Sequence, residues 1–225
     1  MTEEEEKDVG SLIVHKLGAL ILLNHSFSCG RASLLGQVVC MQKRMGEAVA
    51  RVARKVNETV ENKTDSLDLA DCKLMTFPVG IYKVMRNVAE EIHLITLANN
   101  ELKSLTGKFI ITFNQLRELN LEGNYLHRLP EEIKTLLHLK AINLSKNKFR
   151  HFPEQLTALK TLETINLEEN EISDVPVEKL ASMESLQSVN LKLNPLNEEV
   201  RAIARPLIKF DLLVSPEGAQ AVPQV

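Results

Sequence analysis

Residues 116–126 read Leu116-Arg117-Glu118-Leu119-Asn120-Leu121-Glu122-Gly123-Asn124-Tyr125-Leu126, the pattern L-x-x-L-x-L-x-x-N-x-L. Working outward, the pattern recurs upstream as Ile92, Ile95, Leu97, Asn100 and Leu102. Downstream it recurs as Leu139, Ile142, Leu144, Asn147, Phe149, then Leu162, Ile165, Leu167, Asn170, Ile172, and last Leu186, Val189, Leu191, Asn194, Leu196. A degenerate first copy, Leu67, Leu69, Cys72 and Leu74, has cysteine in the asparagine place. The steps from Asn100 onward are 24, 23, 23 and 24 residues, and the step from Cys72 to Asn100 is 28. A near-constant period of this length marks a stack of repeating units. The longer first step places extra residues in the first connection, within 84–91.

The residue types follow from that stack. The L-x-L centre is a short strand whose two apolar side chains point inward, and one unit cannot bury that face without its neighbours. The asparagine is turned inward where the strand ends, and a buried amide is costly unless it is bonded. Cys72, Asn100, Asn124, Asn147, Asn170 and Asn194 therefore read as a structural ladder that reaches backbone groups of its own and the adjacent coil. The second half of each coil carries an apolar residue and proline, as in Phe77-Pro78, Leu129-Pro130, Phe152-Pro153 and Val175-Pro176. Proline fixes φ where the chain turns onto short helical segments, and Ile81, Ile133, Leu156 and Leu180 are placed to pack inward. The second coil has Leu105-Thr106 instead and lacks that constraint.

With these residues in view the chain resembles the intracellular leucine-rich-repeat family, in its typical 23-residue class. The stretches 45–57, 92–102 and 163–170 carry the resemblance, which runs from Met45 to Ser215. It implies an α/β solenoid: a right-handed horseshoe of six repeats with a parallel sheet on its concave face. It also implies protein–protein interaction as the default role and no reaction. Residues 1–44 lie outside the resemblance, and Met45 reads as a start for the folded unit.

Composition narrows the function further. The 225 residues carry a net charge of −3, which argues against a protein that lives by phosphate contacts. Cys29, Cys40 and Cys72 are odd in number and have no framework spacing, which indicates a reducing compartment and a cytoplasmic location. The apolar run 12–23 invites a signal or anchor reading. However, the chain opens on Glu3–Glu6, and the run is interrupted by His15 and Lys16, short of the ~20 residues of a spanning helix. No nucleophile elbow, zinc pair, C-x-x-C or phosphate-binding glycine loop is found. The expectation is a non-enzyme without cofactor or metal, monomeric, bound to another protein, and not to nucleic acid or a membrane.

An open stack exposes its core at both ends and needs caps there. The expected organisation is 1–44 as an unassigned, poorly ordered extension, 45–62 as a capping helix, and 63–196 as the repeats. Residues 197–214 make a C-terminal cap, and 215–225 a disordered tail. On the first helix Met45, Ala48, Val49, Val52, Ala53, Val56 and Val60 share one face. Glu47, Arg51, Arg54, Lys55 and Glu58 fall on the other. In the second cap Asn197 starts a helix through Ala204, with Val200 and Ile203 facing the stack, Arg205-Pro206 stops it, and 207–214 lie across the last repeat.

Side chains alternate along a strand, so the residues flanking each inward pair face the concave side. The partner-binding candidates there are Asp68, Thr96, Glu118, Asn120, Glu122, Asn143, Asn166, Glu168, Asn190 and Lys192. A row of asparagines can bond a partner's backbone, and it also simply suits an exposed strand position. A second candidate is the basic cluster Lys103, His127, Arg128, Arg150 and His151, a site for an acidic partner or else a solvated rim balanced by Glu131, Glu132 and Glu154. The function expected is an intracellular adaptor or scaffold, in signal transduction among other settings. The alternative is a regulatory subunit of an enzyme such as a phosphatase or GTPase.

Overall fold

The computed structural model describes residues 35–198, 200 and 208–216, with side chains from residue 46. Among them, seven strands form one parallel sheet in chain order: β1 (Ser66–Asp68), β2 (Leu94–Thr96), β3 (Glu118–Asn120), β4 (Ala141–Asn143), β5 (Thr164–Asn166), β6 (Ser188–Asn190) and β7 (Asp211–Leu213). The register advances one coil at a time: Leu67 lies opposite Ile95, Ile95 opposite Leu119, Leu119 opposite Ile142, and so on to Leu212. The sheet does not close, and the chain is a right-handed solenoid.

The inward positions make one continuous core. Leu67, Ile95, Leu119, Ile142, Ile165 and Val189 stack down the strand centres, and Leu69, Leu97, Leu121, Leu144, Leu167 and Leu191 stack beside them, all buried. Facing them are Ile81, Ile133, Leu156 and Leu180 from the short helical segments. These segments are α2 (Val79–Val84), α3 (Gly107–Thr112), α4 (Val177–Ala181) and 3-10 turns at Ala89–Glu91, Glu131–Thr135 and Glu154–Ala158. Pro78, Pro130, Pro153 and Pro176 sit at the N-caps with φ from −66° to −76°. In the second coil Thr106 replaces proline, and its side chain accepts from the Phe109 N–H. A hydroxyl cap thus starts α3 where the other coils use a fixed φ. The extra residues of the first connection form the turn after α2 and the 3-10 turn Ala89–Glu91.

Each strand ends in the same sharp turn. Among the described residues, the position before every ladder residue has positive φ: Asp71 (56°), Asn99 (54°), Gly123 (64°), Lys146 (54°), Glu169 (57°) and Leu193 (57°). Only one of these six is glycine, so most coils hold an L side chain in the left-handed region. Glu169 makes no side-chain hydrogen bond or close ion pair among the described residues, only a longer-range attraction to Lys146, and Asn tolerates this region well. Glu169→Asn is therefore expected to raise stability by about 0.5–1 kcal/mol in urea denaturation. A lower unfolding midpoint would argue against strain at this turn.

The capping helix differs from its sequence reading in two respects. It runs Leu35–Asn62 (α1), so it starts ten residues before Met45. Its polar residues are also not all solvated. Arg51 Nη1 donates to Asp71 O (3.0 Å), Lys55 Nζ to Ala70 O (3.4 Å), and Thr59 Oγ1 to Ser66 O (3.2 Å). These three side chains, four residues apart on one helix stripe, satisfy the carbonyls along the open edge of the first coil. Lys55 also pairs with Asp68 (3.2 Å). Val52, Ala53 and Val56 lie alongside in the core, while Ala48 and Val49 are half-buried. Thr59 is 5 % exposed. Thr59→Val keeps its shape and removes a hydroxyl shared between Ser66 O and Lys55 O (3.1 Å), while Thr64 Oγ1 still donates to Ser66 O (3.1 Å), so a loss of about 0.5–1.5 kcal/mol is expected by thermal or urea melting. An unchanged midpoint would show that the edge carbonyl is satisfied without it.

At the other end, the described part of the expected cap, 208–214, meets the last repeat as a strand. Asp211–Leu213 pairs edge-on with β6 as a seventh strand. The Asp211 N–H donates to Gln187 O (2.8 Å), and the Leu191 N–H to Leu213 O (2.8 Å). The Leu193 N–H donates to Ser215 Oγ (2.7 Å), where the inner coils use a backbone carbonyl. The cause is the unpaired edge of β6, which any extended segment can satisfy. Asn197 Oδ1 accepts from the Val200 N–H (2.8 Å), and Val200 is buried. Ile203, Ala204, Arg205 and Pro206, like Cys29, Glu3–Glu6, the run 12–23 and the last nine residues, lie outside the described residues.

Candidate binding surfaces

The ladder residues sit inside the strand-to-turn corner. Asn147 Nδ2 donates to Leu121 O (2.9 Å), Leu144 O (3.1 Å) and Ser145 O (3.0 Å), and its Oδ1 accepts from the Leu126 N–H (3.0 Å). Asn124, Asn170 and Asn194 repeat this arrangement one coil apart. Asn100 carries more, because its Oδ1 accepts from both the Cys72 N–H (3.1 Å) and the Leu74 N–H (2.9 Å). Cys72 itself turns its Sγ to Ala70 O (3.3 Å) and makes no bond to a coil beyond. Burial pushes its thiol pKa up, partly offset by Lys55 and Arg51. The five asparagines bridge adjacent coils, and all six ladder positions are buried.

The concave candidates divide by what their side chains already do. Asp68, Asn120, Asn143, Asn166 and Asn190 each accept, through Oδ1, the N–H two residues ahead, at 2.8–3.1 Å. Thr96 makes a longer version to the Ala98 N–H (3.4 Å). This bond holds the strand exit in shape, and it gives a local reason for asparagine in the column. Asn143 Nδ2 further donates to Glu122 (3.3 Å), and Asn190 Nδ2 to Glu168 (2.8 Å). Glu122 also pairs with Lys146 (2.7 Å), which raises the Lys146 pKa through the hydrogen bond to that carboxylate. Among the described residues, the amide donors of Asn120 and Asn166 and the charges of Glu118 and Lys192 have no partner.

Glu118, Asn120 and Asn166, but not Lys192, border a shallow depression of about 380 Å³ on β2 to β5. Leu94 and Ala141, in the outward column beside the asparagines, form its apolar floor, with Glu118, Asn120, Thr164 and Asn166 around it. Of its outward lining, Thr96, Glu118, Asn120, Asn143 and Asn166 are among the sequence candidates, whereas Leu94, Ala141 and Thr164 are not. The signal for it is the pair of apolar residues at an outward strand position.

The basic cluster lies on the flank just past the ladder, and its five members are exposed. The coils are in register there too: the Tyr125 N–H donates to Leu102 O (2.9 Å), and the Lys148 N–H to Leu126 O (2.8 Å). Arg150 pairs with Glu171 (3.0 Å). Two of the three acids expected to balance the cluster, Glu131 and Glu154, are occupied elsewhere. Glu131 bonds Lys134 and Gln155, which lowers its pKa, and Glu154 bonds Lys179. His93 Nδ1 lies 3.0 Å from Gln115 O, while His127, His138 and His151 are exposed. No described group of His, Cys, Asp or Glu is arranged to hold a metal, and no described helix is long and apolar enough to cross a membrane.

Comparison with known proteins agrees with this geometry. Residues 68–207 match the family model described as a leucine-rich repeat region. The chain is 75 % identical over 183 residues to leucine-rich repeat-containing protein 20 of Mus musculus, which covers 81 % of this chain and 100 % of that protein. It is 75 % identical over 181 residues to leucine-rich repeat-containing protein 20 of Homo sapiens, covering 80 % of this chain and 98 % of that one. Among solved structures, internalin C2 from Listeria monocytogenes superposes with a TM-score of 0.52 at 16 % identity, covering 74 % of this chain and 86 % of that one. A TLR13–ssRNA13 complex superposes with a TM-score of 0.54 at 19 % identity, covering 66 % of this chain and 21 % of that one. These two likenesses concern the fold alone. Coils held in parallel register by an asparagine ladder, and a family model spanning residues 68–207, lead to one assignment: the chain belongs to the leucine-rich-repeat family.

Proposed function

We propose that this chain is a non-catalytic protein-interaction module, a cytoplasmic adaptor or scaffold that presents its concave sheet to a partner protein. The observation that carries this reading is the depression over Leu94 and Ala141, bordered by the unpaired Glu118 and by the free amide donors of Asn120 and Asn166. A complementary segment brings one apolar side chain to the floor, a cationic or amide donor to Glu118, and backbone carbonyls to the two asparagines. Asp68, Thr96, Glu122, Asn143, Glu168 and Asn190 bond within the protein and act as a shaped border rather than as anchors.

The test is co-purification from cells with the full chain and two variants. Ala141→Arg fills the depression, and Glu118→Lys reverses its free charge; both positions are outward and leave the ladder intact. Retention of a stoichiometric protein by the native chain, and its loss with both variants, is the expected outcome. A partner held equally by both variants would move the site off the concave face. Altered activity of a retained enzyme would identify a regulatory subunit rather than a scaffold.

A further inference from the structure

We infer that the flank formed by the third and fourth coils is a second docking surface, built for an acidic segment of a protein. Tyr125, His127 and Arg128 of one coil hold the same positions as Lys148, Arg150 and His151 of the next, and the Lys148 N–H bond to Leu126 O keeps the two coils in register there. Strand-like pairing sets the spacing between coils at about 4.8 Å, close enough for these side chains to form one patch. The patch contains three fixed positive charges and two imidazoles, and no carboxylate at the same positions of these two coils.

Two observations separate it from an ordinary solvated rim. Two of the three carboxylates that follow in sequence are engaged away from the patch: Glu131 goes to Lys134 and Gln155, and Glu154 to Lys179, while the Glu132 carboxylate lies against Gly107. Among the described residues Arg128 and Lys148 have no ion pair, and Arg150 is the one member tied to an acid, Glu171. The patch also presents an aromatic anchor, since Tyr125 is 51 % exposed in a chain with very few aromatic residues. Tyrosine and arginine are the side chains that dominate interface energetics, and this surface combines them where the concave face has neither. An extended acidic peptide lying across the coils places carboxylates on Arg128, Lys148 and Arg150 and an apolar side chain on the Tyr125 ring.

The surface is independent of the concave depression, so each can fail alone. The probe is a fluorescein-labelled peptide of glutamates around one central leucine, titrated by anisotropy into the full chain at low salt. Binding is expected to weaken about tenfold in Arg128→Glu plus Lys148→Glu, and several-fold in Tyr125→Ala, the size of an interface anchor. Ala141→Arg is expected to leave it unchanged. All these positions are exposed, and melting curves verify that the variants fold. No binding, or binding insensitive to either flank variant, would overturn the proposal. Equal or tighter binding to anionic phospholipid vesicles, lost in the same variants, would overturn it in favour of a lipid surface.

Discussion

Asn100→Leu is expected to cost about 3–5 kcal/mol of folding free energy, measured by urea denaturation, and to be the most damaging substitution in the ladder. The reason lies in how many buried groups depend on one side chain. The Cys72 and Leu74 N–H groups both donate to Asn100 Oδ1, and Leu69 O accepts from its Nδ2. None of the three has another partner among the described residues; for Leu69 O the reason is that Cys72 fills the ladder place in its own coil, where an asparagine amide would be the second donor. In Asn147→Leu the carbonyls of Leu121, Leu144 and Ser145 keep a second donor, from Asn124, Asn170 and the Gly123 N–H. Only the Leu126 N–H is left unpaired, and the expected loss is about 1–3 kcal/mol. Equal costs at the two positions would refute this account of the ladder's redundancy. A mutant at Asn147 as stable as the native protein would refute the ladder itself.

The second large effect is expected at Phe113→Ala, a loss of about 3–5 kcal/mol. Phe113 is fully buried, with ring centres 5.2 Å from Phe109, 5.9 Å from Phe77 and 6.5 Å from Tyr82. Lys108 Nζ lies 4.7 Å over the outer ring, Tyr82. These rings fill the space opened between the first two coils, where the connection is longest and α2 and α3 replace the tighter turns. The other coils close the same space with Leu136, Leu159 and Met183. Removing one ring leaves a cavity that the remaining rigid rings cannot collapse around. A loss below about 1 kcal/mol in the same denaturation experiment would show that the first two coils relax freely.

The fold was legible because a repeat writes its register into the spacing of its apolar residues. The inward Leu67 to Val189 column and the places of the ladder residues can be read directly from 23- and 24-residue steps. What was not legible depends on groups that leave no pattern. The pairing of Asp211–Leu213 with β6 uses backbone donors and acceptors, which every residue carries. Arg51 and Lys55 look like a solvated helix face until the open edge of β1 is set beside them. The concave positions could be named from strand alternation, yet the work of their side chains could not. Asn143 and Asn190 spend their amides on Glu122 and Glu168, whereas Asn120 and Asn166 do not. The difference follows from which residue stands one coil earlier in the neighbouring column: Glu122 and Glu168 in two cases, Ala98 and Ser145 in the others.

The claim that the concave sheet receives a protein partner is tested most directly by a photo-crosslinking amino acid placed at Ala141 or Thr164, with Leu137 on the opposite side as control. Leu137 is 66 % exposed and therefore as accessible to a passing protein as either concave site. The prediction is a discrete adduct of the same mass from 141 and 164, absent from 137 and competed away when Glu118→Lys is added. Adducts from 137 alone, or from all three positions without effect of Glu118→Lys, would contradict a concave binding site.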